Sequence, residues 1–188
     1  MTTPGLGSEL QEFLRATAPA DLADTLAAVA ATSRAVAAHI RRGPIAGALG
    51  AAVGVNTDGD TQKALDLFAD AAFEKGLADC SVRAYASEER EGIAQLSPGG
   101  RFLVAVDPLD GSSNIDINMT IGTVVSVLDA PAEGEATAAD FLKPGHAQRA
   151  AAVVIYGPQT SFIFSRSLVA SCSATWKRRT SPAISKSG

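Results

Sequence analysis

The chain has 188 residues, 46% of them apolar, enough for one domain with a sizeable core. A net charge of −4 gives no reason to expect a nucleic-acid partner, and no apolar run is long enough to span a bilayer. Only two cysteines, Cys80 and Cys172, and an acidic N-terminus bearing Glu9 and Glu12 predict a cytoplasmic protein with reduced thiols and no secretory signal.

Charge is unevenly placed. All 20 acidic residues lie at or before Asp140, whereas Lys and Arg continue to Lys186. A basic tail of this kind is one way to meet a polyanion, so the end of the chain needs separate treatment.

In chain order, a short helix is predicted around Ser8–Arg15. A longer amphipathic helix follows over residues 21–42, with Leu22, Leu26, Val29, Val36 and Ile40 as its core-facing stripe. Asp21 and Asp24 suit its start, and Arg41-Arg42-Gly43-Pro44 its end. Ala46–Val55, rich in Gly and Ala, reads as a loop or closely packed backbone. A further helix is predicted from Thr61 to Lys75, burying Leu65, Phe68 and Ala72, with Asp60 as its N-cap. On that helix Asp66 would sit on a flank, where a carboxylate is ordinarily plain surface.

Val82–Ala86 alternates like a half-buried strand and ends in Glu88-Glu89; Phe102–Val106 reads as a buried strand. Val124–Leu128 is another apolar stretch, Ala130–Asp140 a surface loop, and Ala150–Tyr156 a further strand. Helices alternating with strands, with carboxylates at strand ends, predict a layered α/β architecture whose ligands bind beyond the carboxyl ends of the strands.

The most informative segment is Asp107-Pro108-Leu109-Asp110-Gly111-Ser112-Ser113-Asn114-Ile115-Asp116. Two carboxylates three residues apart at a strand end, followed by a turn of small residues, can hold a divalent cation beside a phosphate. Hard cations take oxygen ligands, commonly one or two carboxylates plus substrate phosphate oxygens. Gly111 allows close backbone approach to an anion, and Ser112 and Ser113 can help to cradle it. Glu88, Glu89, Asp107 and Asp110 are expected to gather on one site if folding joins the two pairs. Their mutual repulsion would raise their pKa values unless a cation sat among them. Taken singly, Asp-Pro is turn chemistry and Glu-Glu a solvated pair; the combination carries the reading. His39 and His146 lack zinc-like or triad-like partners, and no Walker-type Gly-Lys-Ser/Thr occurs.

The decapeptide with Val106 before it, and the Gly122-Thr123 that follows, resembles the signature of class I fructose-1,6-bisphosphatases. Gly59–Asp66, Ala86–Glu89, Phe141–Gly145 and Val154–Gly157 resemble other landmarks of that family in the same order. The resemblance implies an α/β sugar-phosphatase fold and hydrolysis of the 1-phosphate of fructose 1,6-bisphosphate with two or more Mg²⁺ ions, Mn²⁺ being an alternative. By motif position it implies metal binding by Glu88, Asp107, the Leu109 carbonyl and Asp110, with Asp110 also facing substrate. Gly111, Ser112 and Ser113 would hold the 1-phosphate. Glu89 and Asp66 would orient or deprotonate the attacking water, and Asp60 would serve a further metal position or a loop. The complete enzyme is expected to be a homo-oligomer, a tetramer, acting on a sugar bisphosphate with neither nucleic acid nor membrane as partner.

The family pattern is followed to about Thr160. Residues 161–188 are Ser-rich and acid-free, and carry the only Trp, so they are expected to be an aberrant or disordered basic tail left by a frameshift or truncation. On this reading residues 1–160 form the metal- and 1-phosphate-binding part, without the residues that hold the sugar and the 6-phosphate, and this segment alone is inactive. Competing readings are a sedoheptulose-1,7-bisphosphatase, an inositol-phosphatase-like enzyme, and a non-catalytic fragment whose tail binds a polyanion.

Overall fold

A computed structural model describes residues 6–43, 52–55, 61–166 and 173–176, with the backbone alone at 6–8, 52–55, 61–63 and 173–176. Helices α1 (Leu6–Thr17) and α2 (Ala20–Arg42) open the chain. A small hairpin of β1 (Ala52–Val55) and β2 (Thr61–Lys63) leads into α3 (Ala64–Leu77). Then come β3 (Val82–Ser87), β4 (Ile93–Gln95), β5 (Phe102–Asp110), β6 (Ile121–Asp129), β7 (Ala150–Tyr156), β8 (Thr160–Arg166) and β9 (Ser173–Trp176).

Strands β3–β9 make one sheet in the order β4-β3-β5-β6-β7-β8-β9. Only β3 and β5 pair in parallel; every other neighbour is antiparallel. The three helices lie on one face. Leu22, Leu26, Val29 and Val36 of α2 are buried as the stripe requires, with Ile40 at its margin. They meet Val104, Val125, Val127, Val154, Phe162 and Phe164, the inward residues of alternating strands. The opposite face has a smaller cluster at one end, where Ala136 in the loop after β6 covers Leu103 and Leu128. The architecture is the α/β arrangement expected.

The structure shifts several boundaries. Helix α3 begins one turn later than predicted, because Thr61–Lys63 pair with β1. The N-cap role expected of Asp60 therefore does not apply to α3, and Asp60 itself lies outside the described residues. Of the predicted α3 stripe, Leu65 is buried, whereas Phe68 and Ala72 are only partly so. Asp66 goes inward instead of remaining on the surface, and Asp70, one turn on, is buried as well. Strand β5 runs on to Asp110, so both signature carboxylates belong to the strand and not to the turn after it.

Residues 161–166, set apart by composition, lie in β8 and pair with β7 in unbroken register from Tyr156↔Thr160 to Ala150↔Arg166. Phe162 and Phe164 point into the core, and Phe164 meets Phe13 edge-on at 6.2 Å. Truncating Phe164 to Ala should lower stability by about 3–5 kcal/mol. Urea denaturation of parent and variant checks this; coincident transitions would mean that β8 is not seated in the core.

Candidate metal and phosphate site

Parallel pairing brings two strand ends together. Ser87 of β3 lies beside Val106 of β5, and the Glu88 N–H donates to the Val106 carbonyl at 3.2 Å. Glu88 therefore leaves the sheet next to Asp107. Burial pushes the Asp107 carboxyl up to about 7, and the Glu88 charge, a side-chain hydrogen bond with Glu88 and the Asp110 charge push in the same direction. A hydrogen bond between two carboxyl groups requires a proton on one of them, so Asp107 retains a proton that a separated carboxylate would have lost.

The expected gathering of four acids is narrower in the structure. Among the described residues no three His, Cys, Asp or Glu side chains stand close enough to hold an ion together. Glu88 and Asp107 form the contact, and Asp110 acts on Asp107 through its charge. Pairing of β5 with β6 slips between Asp107 and Asp110, a bulge that breaks the alternation of the strand, and Asp110 is exposed. Glu89 is partly buried in the turn after β3, where its N–H donates to the Ser87 hydroxyl oxygen at 3.2 Å. Asp66 is 1% exposed in the first turn of α3.

The backbone between the two aspartates is fixed from both sides. Asp107 Oδ1 accepts the Leu109 N–H at 3.0 Å. The buried Thr123 hydroxyl donates to the Pro108 carbonyl at 2.7 Å and stands 2.8 Å from the Tyr156 hydroxyl. With the Thr123 proton committed to Pro108, Tyr156 is the donor in the second bond. Gly111 then adopts φ +77°, a left-handed conformation that a side chain would strain by about 1–2 kcal/mol, and opens the 3-10 turn Ser112–Ile117. Ser112 is partly exposed and Ser113 exposed on that turn.

The family profile described as "Fructose-1-6-bisphosphatase, N-terminal domain" matches residues 8–172. The chain belongs to this family. A class 1 fructose-1,6-bisphosphatase of Bradyrhizobium sp. is 51% identical over 142 residues, covering 76% of this chain and 41% of the relative. One from Cereibacter sphaeroides is 45% identical over 147 residues, covering 78% and 43%. The crystal structure of Leishmania major fructose-1,6-bisphosphatase in holo form superposes with a TM-score of 0.76 at 28% identity, covering 88% of this chain and 53% of that one. The chain thus spans less than half the length of these curated relatives. The profile continues through β8, beyond the limit at Thr160 seen in the sequence motifs.

Sequence reading missed Thr123 as a support for the Asp107–Asp110 backbone, and also Asp70, Tyr85 and Arg90. Tyr85 and Asp70 are buried polar residues on apolar elements, the one signal that the pattern offered. The Asp107–Glu88 pair also fixes a pH dependence. Because the folded carboxyl of Asp107 titrates near 7 instead of at its ordinary 3.8, its contribution to stability is complete below about pH 4. It is lost as the pH rises through 7. In chelator-treated protein, Asp107→Asn should match the parent near pH 4 and exceed it in melting temperature at pH 8. Equal melting temperatures at pH 8 would contradict the geometry.

Proposed function

We propose that this chain supplies the metal- and 1-phosphate-binding part of a fructose-1,6-bisphosphatase, the complete enzyme hydrolysing the 1-phosphate to give fructose 6-phosphate and phosphate. The observation that carries the reading is the meeting of Glu88 and Asp107 at the ends of the parallel β3–β5 pair, with Asp110 close enough to add its charge. A donor set of carboxylate oxygens, one of them half-buried and titrating near 7, suits a hard divalent cation such as Mg²⁺ or Mn²⁺, whose charge favours the ionised form. Glu88 and Asp107 would hold the ion where they meet, and Asp110 and the Leu109 carbonyl, ligands by motif position, would have to close on it to join them. When bound, such ions stabilise charge on the phosphoryl oxygens and lower the pKa of water.

The remaining steps belong to the chain's own residues. Gly111 turns the backbone out of β5, so that Ser112 and Ser113 can offer N–H and hydroxyl donors to the 1-phosphate. Glu89, in the turn beside Glu88, would take a proton from the attacking water, and Asp66 would orient that water. The transition state for phosphoryl transfer asks mainly for positioning and charge neutralisation, which a fixed strand-end site supplies. Contacts to the sugar and the 6-phosphate would come from the further length that the relatives possess.

Phosphate release from fructose 1,6-bisphosphate tests the reading in a chain extended with the second half of the Bradyrhizobium relative. Asp110→Asn should reduce the chemical step about a hundred- to a thousand-fold, since it removes a charge facing both cation and phosphate. Asp60→Ala should reduce it far less, and residues 1–188 alone should turn over negligibly. Equal losses for the two variants, or full activity in the 188-residue chain, would contradict the assignment.

A further inference from the structure

The turn that carries Glu88 and Glu89 also contains Glu91, so three carboxylates crowd the five residues between β3 and β4. Arg90 is the one cation there, and its guanidinium reaches away to α3. Its Nε donates to Asp70 Oδ2 at 2.9 Å, Nη2 bonds the same oxygen, and Nη1 donates to Glu74 Oε2 at 2.8 Å. The other Asp70 oxygen accepts the Tyr85 hydroxyl at 2.8 Å. Arg90 also lies over the Tyr85 ring, 5.3 Å from its centroid.

The placement is specific. Asp66, Asp70 and Glu74 recur every four residues and so share one face of α3. Asp70 is 5% exposed and Tyr85 is fully buried, so the carboxylate cannot follow a moving arginine. Glu88 is tied to β5 through its N–H, and Arg90 is tied to α3 through its side chain. The intervening Glu89 is thereby held between two fixed points.

We propose that Arg90 is a positioning residue that fixes Glu88 and Glu89 against Asp107, with buried Asp70 as its anchor. The inference rests on the metal-binding reading above. Lysine keeps the charge but cannot present the planar fork that joins Asp70 to Glu74. Outer residues that orient metal ligands commonly account for about ten- to a hundred-fold in metal affinity.

The test uses Mn²⁺ binding to the 188-residue chain, followed by electron paramagnetic resonance of the free ion, with amide hydrogen exchange as a second readout. Circular dichroism verifies the fold of each variant. Arg90→Lys should bind Mn²⁺ about tenfold more weakly and exchange faster within residues 88–92 alone. Glu74→Gln, at the outer end of the clamp, should shift both readouts the same way by less. Arg149→Lys, in the exposed pair with Asp129 elsewhere on the sheet, should change neither. Tight Mn²⁺ binding by the parent, undiminished in Arg90→Lys and Glu74→Gln, would overturn the inference and leave the metal reading standing. Absence of Mn²⁺ binding by the parent would overturn both. Should Arg90→Lys fail to fold, Glu74→Gln decides by the same outcomes.

Discussion

Parallel pairing of β3 with β5 is the constraint on which the site depends. Strands that run the same way end at the same edge, and here both end in acids. Ser87 beside Val106 leaves Glu88 no place other than next to Asp107. In a half-buried position that proximity opposes the second negative charge and raises the Asp107 pKa. Antiparallel pairing of the same two strands would have sent the carboxylates to opposite edges. The apolar contacts of the helical layer against the sheet outweigh this local penalty, as in other sites where a fold maintains an unfavourable arrangement for function.

Support for the acidic edge comes from beneath and from the side. Tyr156, Thr123 and the Pro108 carbonyl form a buried chain of hydrogen bonds that holds the backbone between Asp107 and Asp110. Tyr85, Asp70 and Arg90 form a second chain that holds the turn after β3. Neither includes a carboxylate of the Glu88–Asp107 pair, so that pair keeps oxygens available for a ligand. Rigid sites of this kind are precise because the supporting side chains are themselves locked by packing.

Much of this was legible in the residues. The stripe on α2 and the alternation in Ala150–Tyr156 were long enough to define their elements, and β7 occupies the predicted span. The Asp107–Asp116 motif pointed to metal and phosphate. Local pattern could not show that β3 and β5 pair in parallel, since pairing across a sheet leaves no periodic trace in either strand. The slip between Asp107 and Asp110 was hidden for the same reason, and so four acids were expected to gather where two meet. Strand β8 was obscured by its composition: Ser161, Ser165 and the lack of acids drew attention away from Phe162 and Phe164, which alternate inward. Asp66 was misjudged, and Asp70 passed over, because a carboxylate on a helix flank is ordinarily solvated. Here partners on β3 and its turn take Asp70 into the interior.

The central claim is that Asp107, half-buried beside Glu88, holds its proton up to about pH 7 at an edge suited to a hard cation. Carbon-13 resonances of the aspartate and glutamate carboxyls, followed against pH with and without Mg²⁺, test it most directly. The account predicts an Asp107 midpoint near 7 in chelator-treated protein. It further predicts a return toward the ordinary carboxylate range in the Glu88→Gln variant, and a fall below that range in the parent once Mg²⁺ is added. An Asp107 midpoint near 4 in the metal-free parent, unmoved by Mg²⁺, would contradict it.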